Sequence, residues 1–423
     1  MLKKNKIYFK PKLIQYRSDC RVCGSKNIKK ILDLGVMPLA GNFVKKKDLD
    51  KKEIRVSLKL YFCNICKLVQ VKDSINPEIL FQAYNYSSST IPSLNNHFIS
   101  YSKKIKNKFK NKRNVKILEF GCNDGILLKE FSKNKNFFCL GVDPSSNISS
   151  LAKKRGINVI NKYFNKKTAD EIFIKHGKFD YITASNVFAH IDDIHSVVEA
   201  SKCLLKDNGQ LVIEVHYLLD LINLNQYDFF YHEHLNYYTL KSLEYLFKLY
   251  DLNITNIEKT NVHGGSIRVT LHNSILNKKF KSTKVEKKLK IEKIVNLNYF
   301  KNFVKNILNQ KNTMIKLLDK LNLEKKYIIG FGASGRGTTF LNYCGISKKY
   351  IKYIVDASPL RAGKYMPGLK IPIYNVDYLK KNAHKIDYIL IIAWNYKSSI
   401  IKQVKKINKD IKFIIPFPYP HIL

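Results

Sequence analysis

The chain of 423 residues is longer than one hydrophobic core usually supports, and its 45% apolar and 12% aromatic residues suffice to build the two or three domains expected. Lysine and arginine outnumber aspartate and glutamate by 75 to 33, and the net charge of +42 would ordinarily suggest nucleic acid or an anionic membrane as a partner. The lysines are spread through every region without an RNA-recognition or zinc-knuckle pattern, so the composition argues against a nucleic-acid-binding protein.

The N-terminal stretch MLKKNKIYFKPKLIQY is basic but has no apolar segment of signal-peptide length, and no run approaches the roughly 18 apolar residues of a membrane span. These features predict a cytoplasmic protein without a membrane partner. Eight cysteines in a reducing compartment do not form a disulfide framework. Those outside paired motifs are Cys122, Cys139, Cys203 and Cys344.

Two C-x-x-C pairs stand near the start of the chain, Cys20 with Cys23 and Cys63 with Cys66. Each tight turn can direct two thiolates toward one ion, and four sulfur ligands at this spacing indicate tetrahedral zinc. The set leaves no open ligand position, so the zinc is expected to be structural, within a domain of residues 1–75. The long gap between the pairs predicts strands that fold back over residues 32–68. A redox C-x-x-C motif is the alternative.

The next region alternates strands and helices, as a doubly wound α/β domain does. A strand at 115–120 leads into the turn Gly121-Cys-Asn-Asp-Gly125, and a helix is expected at 126–131. Further strands are predicted at 137–142, 179–184 and 209–214. A sheet of this kind binds a nucleoside at the carboxyl ends of its strands. The sequence therefore predicts a nucleoside-binding domain over residues 76–275.

The glycine turn after the first of these strands has the form E-x-G-x-N-D-G, which lacks the close glycine triple that cradles a pyrophosphate. An uncharged or cationic nucleoside fits better, so S-adenosylmethionine is favoured over a nicotinamide dinucleotide. Glu119 or Asp124 is expected near the amino acid part of this cofactor, and Asp143 is expected to bind its ribose. The predicted cofactor-binding residues are Glu119, Gly121, Asn123, Asp124, Gly125, Asp143 and Asn186.

A lysine-rich, amphipathic stretch at about 280–320 predicts a helical connector, after which strands and helices alternate again. Its apolar positions near helical spacing are Ile291, Val295, Phe300, Phe303, Ile307 and Leu308. Strands are predicted at 327–330, 353–355 and 388–393, with a helix through Tyr343. The predicted fold class is α/β: a small zinc-binding N-terminal domain followed by two Rossmann-like doubly wound domains, the second over residues 276–423.

The turn of this last domain, Gly330-x-Gly332-x-x-Gly335, matches the dinucleotide pattern, with Asp356 in the position of the ribose acceptor. A single motif of this kind is weak evidence, because a loop of that shape holds any diphosphate at a helix N-terminus. Arg336 adds a cation suited to phosphate.

Residues 223–238, NLNQYDFFYHEHLNYY, combine acidic side chains, two histidines and several aromatic rings without a clean helical or strand period. At the centre, Tyr231, His232, Glu233 and His234 can all give or take protons. A core segment would show one of those periods, so we predict a loop that presents side chains to a ligand. The alternative is a hydrogen-bonded aromatic and polar network between domains.

The order of these motifs resembles the sugar C-methyltransferases, which add a methyl branch to carbon 3 of a nucleotide-linked 4-keto-6-deoxy sugar. The motifs are the two C-x-x-C pairs, GCNDG at 121–125, SNVFAHIDD at 185–193, YHEHLNYY from Tyr231, HGGSIR at 263–268 and GASGRGTTFLNYCGI from Gly332. They cover essentially the whole chain. The resemblance implies structural zinc in the N-terminal domain, S-adenosylmethionine in the middle domain, and a C-terminal domain that helps to hold the sugar nucleotide, expected to be a dTDP-sugar.

The resemblance also implies roles for individual residues. The predicted catalytic residues are His234, Glu233, Tyr231, His190 and Tyr86. His234 is expected to remove the proton from carbon 3. Tyr231, Tyr86 or His190 would then donate a hydrogen bond to the enolate oxygen, and the methyl group would pass in line to the carbon. Tyr84 is the alternative to Tyr86 in lining this cavity.

The predicted substrate-binding residues are His232, His263, Gly332 and Arg336. His232 is also an alternative base, because spacing does not distinguish adjacent residues. Arg336 departs from the lysine that the family would place there, which keeps phosphate binding in the prediction but changes how the nucleotide is held.

Three other functions are compatible with the residues alone. The Gly330 loop would suit an NAD-dependent nucleotide-sugar oxidoreductase or epimerase, and the charge of +42 would suit a nucleic-acid-binding protein. A methyltransferase with an oxygen or nitrogen acceptor would need no enolate. The favoured prediction is a monomeric C-methyltransferase that uses S-adenosylmethionine and structural zinc, acts on a nucleotide sugar, and has no nucleic-acid or membrane partner.

Overall fold

The structure, a computed structural model, describes residues 13–81, 86–274 and 282–423. Tyr84, the alternative to Tyr86, lies outside the described residues. Within the described ranges, no helix is both long enough and apolar enough to cross a membrane.

The N-terminal region is built on an antiparallel sheet that includes the chain between the two C-x-x-C pairs. Its strands are β1 (Ile14–Gln15), β2 (Ile28–Pro38), β3 (Val44–Lys45), β4 (Arg55–Cys63), β5 (Val69–Val71) and β6 (Ser74–Ile75), and helix α1 spans Pro77–Phe81. Strand β4 pairs with β2 on one side and with β5 on the other, so the chain folds back as predicted. Along β4, buried residues alternate with more exposed ones, as in a strand with one face on the core.

The middle region forms a seven-stranded sheet in the order β13-β14-β11-β10-β7-β8-β9. Its strands are β7 (Val115–Phe120), β8 (Phe137–Val142), β9 (Asn158–Ile160), β10 (Phe179–Ser185), β11 (Leu205–His216), β13 (Leu252–Thr260) and β14 (Ser266–Asn273). Strand β12 (Asn236–Tyr237) lies elsewhere. The helices are α2 (Pro92–Lys108), α3 (Ser146–Lys154), α4 (Lys166–His176), α5 (Ile194–Leu204), α6 (Leu218–Asn223) and α7 (Leu240–Lys248). Strands β7 to β11 run parallel, and β13 and β14 form an antiparallel edge.

The helix predicted at residues 126–131 is wrong. Only a short 3-10 turn, Leu128–Glu130, forms there. Ile126, Leu127, Leu128 and Phe131 are all buried, and only the adjacent pair Lys129 and Glu130 is partly exposed, so the stretch lacks the spaced polar face that an amphipathic surface helix presents.

The C-terminal region forms a second, six-stranded sheet in the order β18-β16-β15-β19-β20-β21, parallel except for β21. Its strands are β15 (Ile328–Phe331), β16 (Ile354–Val355), β18 (Ile373–Tyr374), β19 (Tyr388–Ile391), β20 (Lys412–Ile415) and β21 (His421–Ile422). Strand β17 (Lys364–Tyr365) pairs outside this sheet. The helices are α8 (Thr283–Ile291), α9 (Leu297–Leu323), α10 (Gly335–Cys344), α11 (Val376–Asn382) and α12 (Lys397–Lys405).

The predicted helical connector is present as α8 and α9. Val295, Phe300, Phe303 and Ile307 are buried as their spacing predicts. Ile291 and Leu308 are exposed instead. The first ends α8, and the second follows Ile307 directly and so points about 100° away from it around α9.

Two short strands join the regions. Strand β12 extends the N-terminal sheet in the order β12-β5-β4-β2, and β17 pairs with β3. Because β12 belongs to residues 223–238, backbone hydrogen bonds hold the histidine-rich segment against the N-terminal region. The domain boundaries after residues 75 and 275 stay a prediction, because strand pairing crosses both of them.

Candidate active site

A cavity of about 1670 Å³ is lined by residues that follow strands of both parallel sheets, together with residues of the N-terminal region. Ligands of doubly wound sheets bind at this end of the strands. The predicted site residues that line it are Tyr86, Glu119, Gly121, Asn123, Asp143, Asn186, His190, Tyr231, Glu233, His234, His263, Gly332 and Arg336. Asp124, Gly125 and His232 lie outside its lining.

Two carboxylates mark the part of the cavity beside the middle sheet. Glu119, near the end of β7, has a buried Oε2 without a hydrogen-bond partner in the described part of the chain, and burial, reinforced by Asp143, raises its pKa well above the usual range. Asp143, directly after β8, accepts from the backbone N–H groups of Asn123 and Ser145, each at 2.9 Å. An unpaired buried carboxyl oxygen calls for a donor from a ligand. The hydroxyl and ammonium groups of S-adenosylmethionine are donors of this kind, so these residues fit that cofactor.

Asp124 braces the glycine turn. Its Oδ2 accepts from the hydroxyls of Ser87 and Ser89, both at 2.5 Å, and its Oδ1 lies 3.4 Å from Arg155. These contacts tie residues 87–89 to the turn through Oδ2, whereas Oδ1 is buried without a hydrogen-bond partner among the described residues. Asp124 does not line the cavity, and its contact with the cofactor stays a prediction.

Backbone conformation and close packing require glycine at both glycine positions of this turn. Both have positive φ, +64° at Gly121 and +73° at Gly125. A Cβ at Gly121 would lie 2.6 Å from Val187, in the turn after β10, whereas one at Gly125 would lie 2.2 Å from Ile157. Gly125 thus permits packing behind the turn rather than close approach of a ligand.

Asn186 is held by a buried ion-pair network. Its Nδ2 donates to Glu214 Oε1 at 3.1 Å, and Glu214 also pairs with Arg268 at 2.7 Å and with His97 at 3.1 Å. Despite burial, His97 and Arg268 hold the pKa of Glu214 below its usual range. The sequence did not single out Glu214, although it ends the fourth predicted strand.

His234 is a neutral imidazole with a defined tautomer. Its Nδ1 lies 3.1 Å from the carbonyl oxygen of Phe229, which can only accept, so Nδ1 carries the proton. Its Nε2 lies 2.8 Å from the hydroxyl of Tyr231 and accepts from it. Burial, reinforced by His190, holds the pKa of His234 well below its usual range. The lone pair available for proton abstraction is therefore on Nε2.

Three further histidines border the cavity beside His234. His190 lies with its ring 4.8 Å from His234 and donates from Nδ1 to the carbonyl oxygen of Glu233 at 2.8 Å. His216 lies 5.2 Å from His234 and 5.5 Å from His263, ring centre to ring centre. The pKa values of His190 and His263 are both lowered by burial to about 4. The cluster is neutral at physiological pH.

Sequence reasoning missed His216. Neither of its ring nitrogens has a hydrogen-bond partner among the described residues, although the ring is buried against Phe229 at 4.2 Å. Burial, with the neighbouring histidines, holds its pKa well below the usual range. The signal was present: His216 lies two residues beyond the predicted strand at 209–214, at the carboxyl end where ligands bind.

The side chains of His232 and Glu233 both face the N-terminal region. His232 Nε2 bonds to the carbonyl oxygen of Val56 at 3.1 Å, which turns the ring away from the cavity. The predicted substrate contact of His232 is therefore not supported by its position. Glu233 accepts from the backbone of Gly41, and burial raises its pKa to about 7. A Cβ at Gly41 would lie 2.6 Å from Glu233 Oε1, so this approach needs glycine.

Arg336 borders the cavity but is paired with protein. Its Nε and Nη2 donate to the two oxygens of Asp228 at 2.9 and 3.0 Å, and Nη2 also lies 3.2 Å from Gln226 Oε1. The guanidinium lies over the rings of Phe229 and Trp394. Most of its donors are used, which weakens the prediction that it binds phosphate.

The second glycine loop is closely packed. Gly332 has a φ of +96°, and a Cβ there would lie 2.3 Å from that of Ala393. A Cβ at Gly335, the first residue of α10, would lie 3.5 Å from that of Ala40 and 3.8 Å from the ring of Tyr231. The start of α10 is thus approached by both the N-terminal region and the histidine-rich segment.

The four paired cysteines form a separate site. Their sulfurs all lie within 4.8 Å of one another, with Cys20 and Cys66 at 3.4 Å and Cys23 and Cys63 at 3.5 Å. Sulfurs bound to tetrahedral zinc at about 2.3 Å lie about 3.8 Å apart, so the cluster fits the ion. In the described part of the chain, this is the only group of three or more His, Cys, Asp or Glu residues that could hold a metal.

Family comparisons agree with this layout in chain order. A "Putative zinc binding domain" matches residues 20–81, a "Methyltransferase domain" matches 96–257, and a "C-methyltransferase C-terminal domain" matches 261–418.

C-methyltransferase NovU of Streptomyces niveus is 30% identical over 408 residues, which are 96% of each chain. A ubiquinone biosynthesis O-methyltransferase of Haemophilus ducreyi is 29% identical over 104 residues, 23% of this chain and 44% of that one. Among solved structures, an S-adenosylmethionine-dependent methyltransferase of Clostridium acetobutylicum aligns with a TM-score of 0.33 at 18% identity, over 41% of this chain and 91% of that one.

The fold and the cavity, together with the family matches, define a class I S-adenosylmethionine-dependent methyltransferase with a structural zinc site. Because NovU matches along nearly the whole of both chains, the chain belongs to the C-methyltransferase family. The predicted family, fold class, enzyme class and cofactors are confirmed. Methyl transfer to carbon is thereby preferred over both the NAD-dependent alternative and an oxygen or nitrogen acceptor. The roles of individual residues and the monomeric state stay predictions.

Proposed function

We propose that this C-methyltransferase acts on carbon 3 of a nucleotide-linked 4-keto-deoxy sugar, with dTDP as the expected carrier. The volume of the cavity, about 1670 Å³, supports the proposal because ligand pockets typically enclose roughly 300–1,000 Å³. The cavity therefore has room for the cofactor and a second ligand of nucleotide size. The C-terminal sheet adds a second set of strand ends, the location at which nucleotides bind in such sheets.

Methylation at carbon requires that the carbon first lose a proton, which is acidic only when the enolate beside it is stabilised. When bound, S-adenosylmethionine supplies an electrophilic methyl group. The protein must bring a base and a hydrogen-bond donor to one sugar. The pair of Tyr231 and His234 is the observation that carries the proposal, because it joins both groups by one hydrogen bond of 2.8 Å at the cavity.

His234 acts as the base through Nε2. Its Nδ1 is fixed as a donor to Phe229, and its low pKa keeps the ring neutral before substrate binds. The proton of carbon 3 moves to Nε2 as the enolate forms, and the negative charge beside the ring then stabilises the imidazolium. Tyr231, released from Nε2, donates its hydroxyl to the enolate oxygen.

His190 does not suit the donor role that the family resemblance implies for it. Its Nδ1–H is used on the carbonyl of Glu233, and with a pKa of about 4 its Nε2 carries only a lone pair. The enolate donors are therefore the phenols of Tyr231 and Tyr86. We assign His190 as an acceptor for a sugar hydroxyl.

Deuterium exchange tests this function. Enzyme in D₂O with a dTDP-linked 4-keto-deoxy sugar and S-adenosylhomocysteine is expected to place deuterium at carbon 3. With S-adenosylmethionine instead, the new methyl group is expected at the same carbon, as read by NMR and mass spectrometry. A methyl group at another atom, without exchange at carbon 3, would overturn the proposal.

A further inference from the structure

Two arginines of the C-terminal region line the cavity, Arg336 in the first turn of α10 and Arg361 in the loop after β16. The glycine pattern singles out Arg336 as the phosphate ligand. The contacts of the two guanidinium groups differ, and they decide which one is available to an anion.

Arg336 is already neutralised. Asp228, whose side chain is only 1% exposed, accepts from it twice and from the indole N–H of Trp394 at 2.9 Å. A guanidinium matched to one carboxylate through two hydrogen bonds is a strong pair. Moving Arg336 toward a phosphate would leave the buried carboxylate of Asp228 without its cation, at a cost that a new ion pair would have to offset.

Arg361 has donors to spare. Its ion pair among the described residues is a single contact of 3.4 Å between Nη1 and Asp356 Oδ2, and its Nε is buried without a hydrogen-bond partner. Asp356 is in turn held by the backbone N–H of Ser358 at 2.7 Å. A buried guanidinium N–H that lacks an acceptor costs free energy unless a ligand supplies one.

We infer that Arg361 binds the diphosphate of the nucleotide-linked substrate, an inference that rests on the proposed function. Asp356 and Arg361 stand together at the carboxyl end of β16, so a carboxylate that can accept from the 3′-hydroxyl of the nucleotide's deoxyribose lies beside a cation that donates to phosphate. In a nucleoside diphosphate, one methylene group joins the ribose to the phosphate, and the two can meet both residues. The carboxylate of S-adenosylmethionine is the other anionic group that could bind Arg361. The methionine chain separates this carboxylate from the ribose, so it fits two adjacent residues less well.

Binding of dTDP to the zinc-loaded enzyme tests the inference. Arg361→Gln is expected to weaken dTDP binding by roughly tenfold or more in isothermal titration calorimetry, because it removes charge-assisted hydrogen bonds. Thymidine and S-adenosylhomocysteine are expected to bind unchanged. Arg361→Lys is expected to lose less, since it keeps the charge and loses the fork of donors. Lys364→Gln, a nearby charge removal outside the cavity lining, is the matched control and should bind dTDP as the wild type does.

Each outcome bears on the inference. Equal dTDP affinity of wild type and Arg361→Gln overturns the assignment and leaves the proposed function intact. A loss confined to S-adenosylhomocysteine shows that Arg361 binds the cofactor carboxylate, and also overturns it. If the wild-type enzyme binds none of dTDP, UDP and GDP, both the proposed function and this inference are contradicted. Unchanged S-adenosylhomocysteine affinity verifies that a variant is folded. If Arg361→Gln does not fold, the dTDP affinity of Arg361→Lys is compared with that of the wild type instead.

Discussion

Adjacent side chains of the histidine-rich segment face different partners because the chain turns there instead of forming a helix or a strand. Tyr231 and His234 meet at the cavity, whereas His232 bonds to the carbonyl of Val56. Glu233, between the two histidines, accepts from the N-terminal region and still borders the cavity. This arrangement makes His234, not His232, the proposed base.

Replacing each histidine by asparagine separates the two. His234→Asn is expected to lower kcat by roughly 100-fold or more, as removal of a general base does, with S-adenosylhomocysteine affinity unchanged. His232→Asn is the matched control and is expected to keep its kcat while losing some thermal stability, because it removes a buried ring. Steady-state kinetics and calorimetry check both. Full activity in His234→Asn would remove that residue from the mechanism.

His216 lines the cavity, and neither of its ring nitrogens has a hydrogen-bond partner among the described residues. We expect it to bind substrate, so His216→Phe should lower kcat/KM by roughly tenfold, the effect of one lost hydrogen bond. His216→Asn keeps a donor and an acceptor and is expected to retain more activity. Equal activity of wild type and His216→Phe, at subsaturating sugar nucleotide, would contradict the assignment.

Glu233 makes stability depend on pH. Its carboxyl has a pKa of about 7 in the folded protein against 4.5 for the unperturbed group, so the folded state holds an extra proton between these values. Stability is therefore expected to fall as pH rises from about 4.5 to about 7, by on the order of 3 kcal/mol. Glu233→Gln should remove this component and be more stable than wild type at pH 8. Melting temperatures that show the same difference between variant and wild type at pH 5 and pH 8 would refute it.

At the level of elements, the zinc site and the proposed base are coupled through one strand pair. Strand β5 begins three residues after Cys66 and pairs with β12, which follows His234 by two residues. The backbone N–H of Val71 also donates to the carbonyl of Leu235 at 2.9 Å. The zinc ion therefore holds the strand against which the histidine-rich segment is aligned.

Removal of zinc is expected to lower activity more than cofactor affinity. Cys63→Ser should reduce the zinc content and kcat together, because β5 would no longer be fixed, while S-adenosylhomocysteine still binds the middle sheet. Cys203→Ser, a lone cysteine outside the cluster, is the control. Metal analysis, kinetics and calorimetry measure these quantities. A zinc-free variant with wild-type kcat would show that the coupling is absent.

At the level of the whole molecule, three regions close around one cavity. The N-terminal region supports the histidine-rich segment, the middle sheet contributes Glu119 and Asp143, and the C-terminal sheet contributes Asp356 and Arg361. A ligand bound at the strand ends of the middle sheet and a second ligand bound at those of the C-terminal sheet can thus lie together beside His234. The lysines that give the net charge of +42 are spread along the sequence and are not concentrated in one segment. The absence of a nucleic-acid partner stays a prediction.

Ligand stabilisation distinguishes the two glycine loops. S-adenosylhomocysteine at 100 times its Kd is expected to stabilise the protein by about 2.7 kcal/mol, whereas NAD⁺ is expected to have no effect. The second loop matches a dinucleotide pattern, but Ala40 and Tyr231 approach the start of its helix. Thermal unfolding with each nucleotide measures the difference. Stabilisation by NAD⁺ alone would contradict the expected cofactor preference.

The sequence alone determined the features that depend on local spacing. Paired cysteines identified the zinc ligands, and apolar runs located β7 and β8 at the residues predicted, because strand formation follows from short-range patterns. The order of motifs along the chain was enough to indicate the family.

Only the tertiary structure decided which side chains reach the cavity. His232 and His234 are equivalent in spacing, and their separation depends on Val56, far away in sequence. Asp228 pairs with Arg336, which is 108 residues away in sequence. Within the described ranges, Arg361 instead has a buried Nε without a hydrogen-bond partner. Such contacts form between segments that meet only on folding, so no local pattern encodes them.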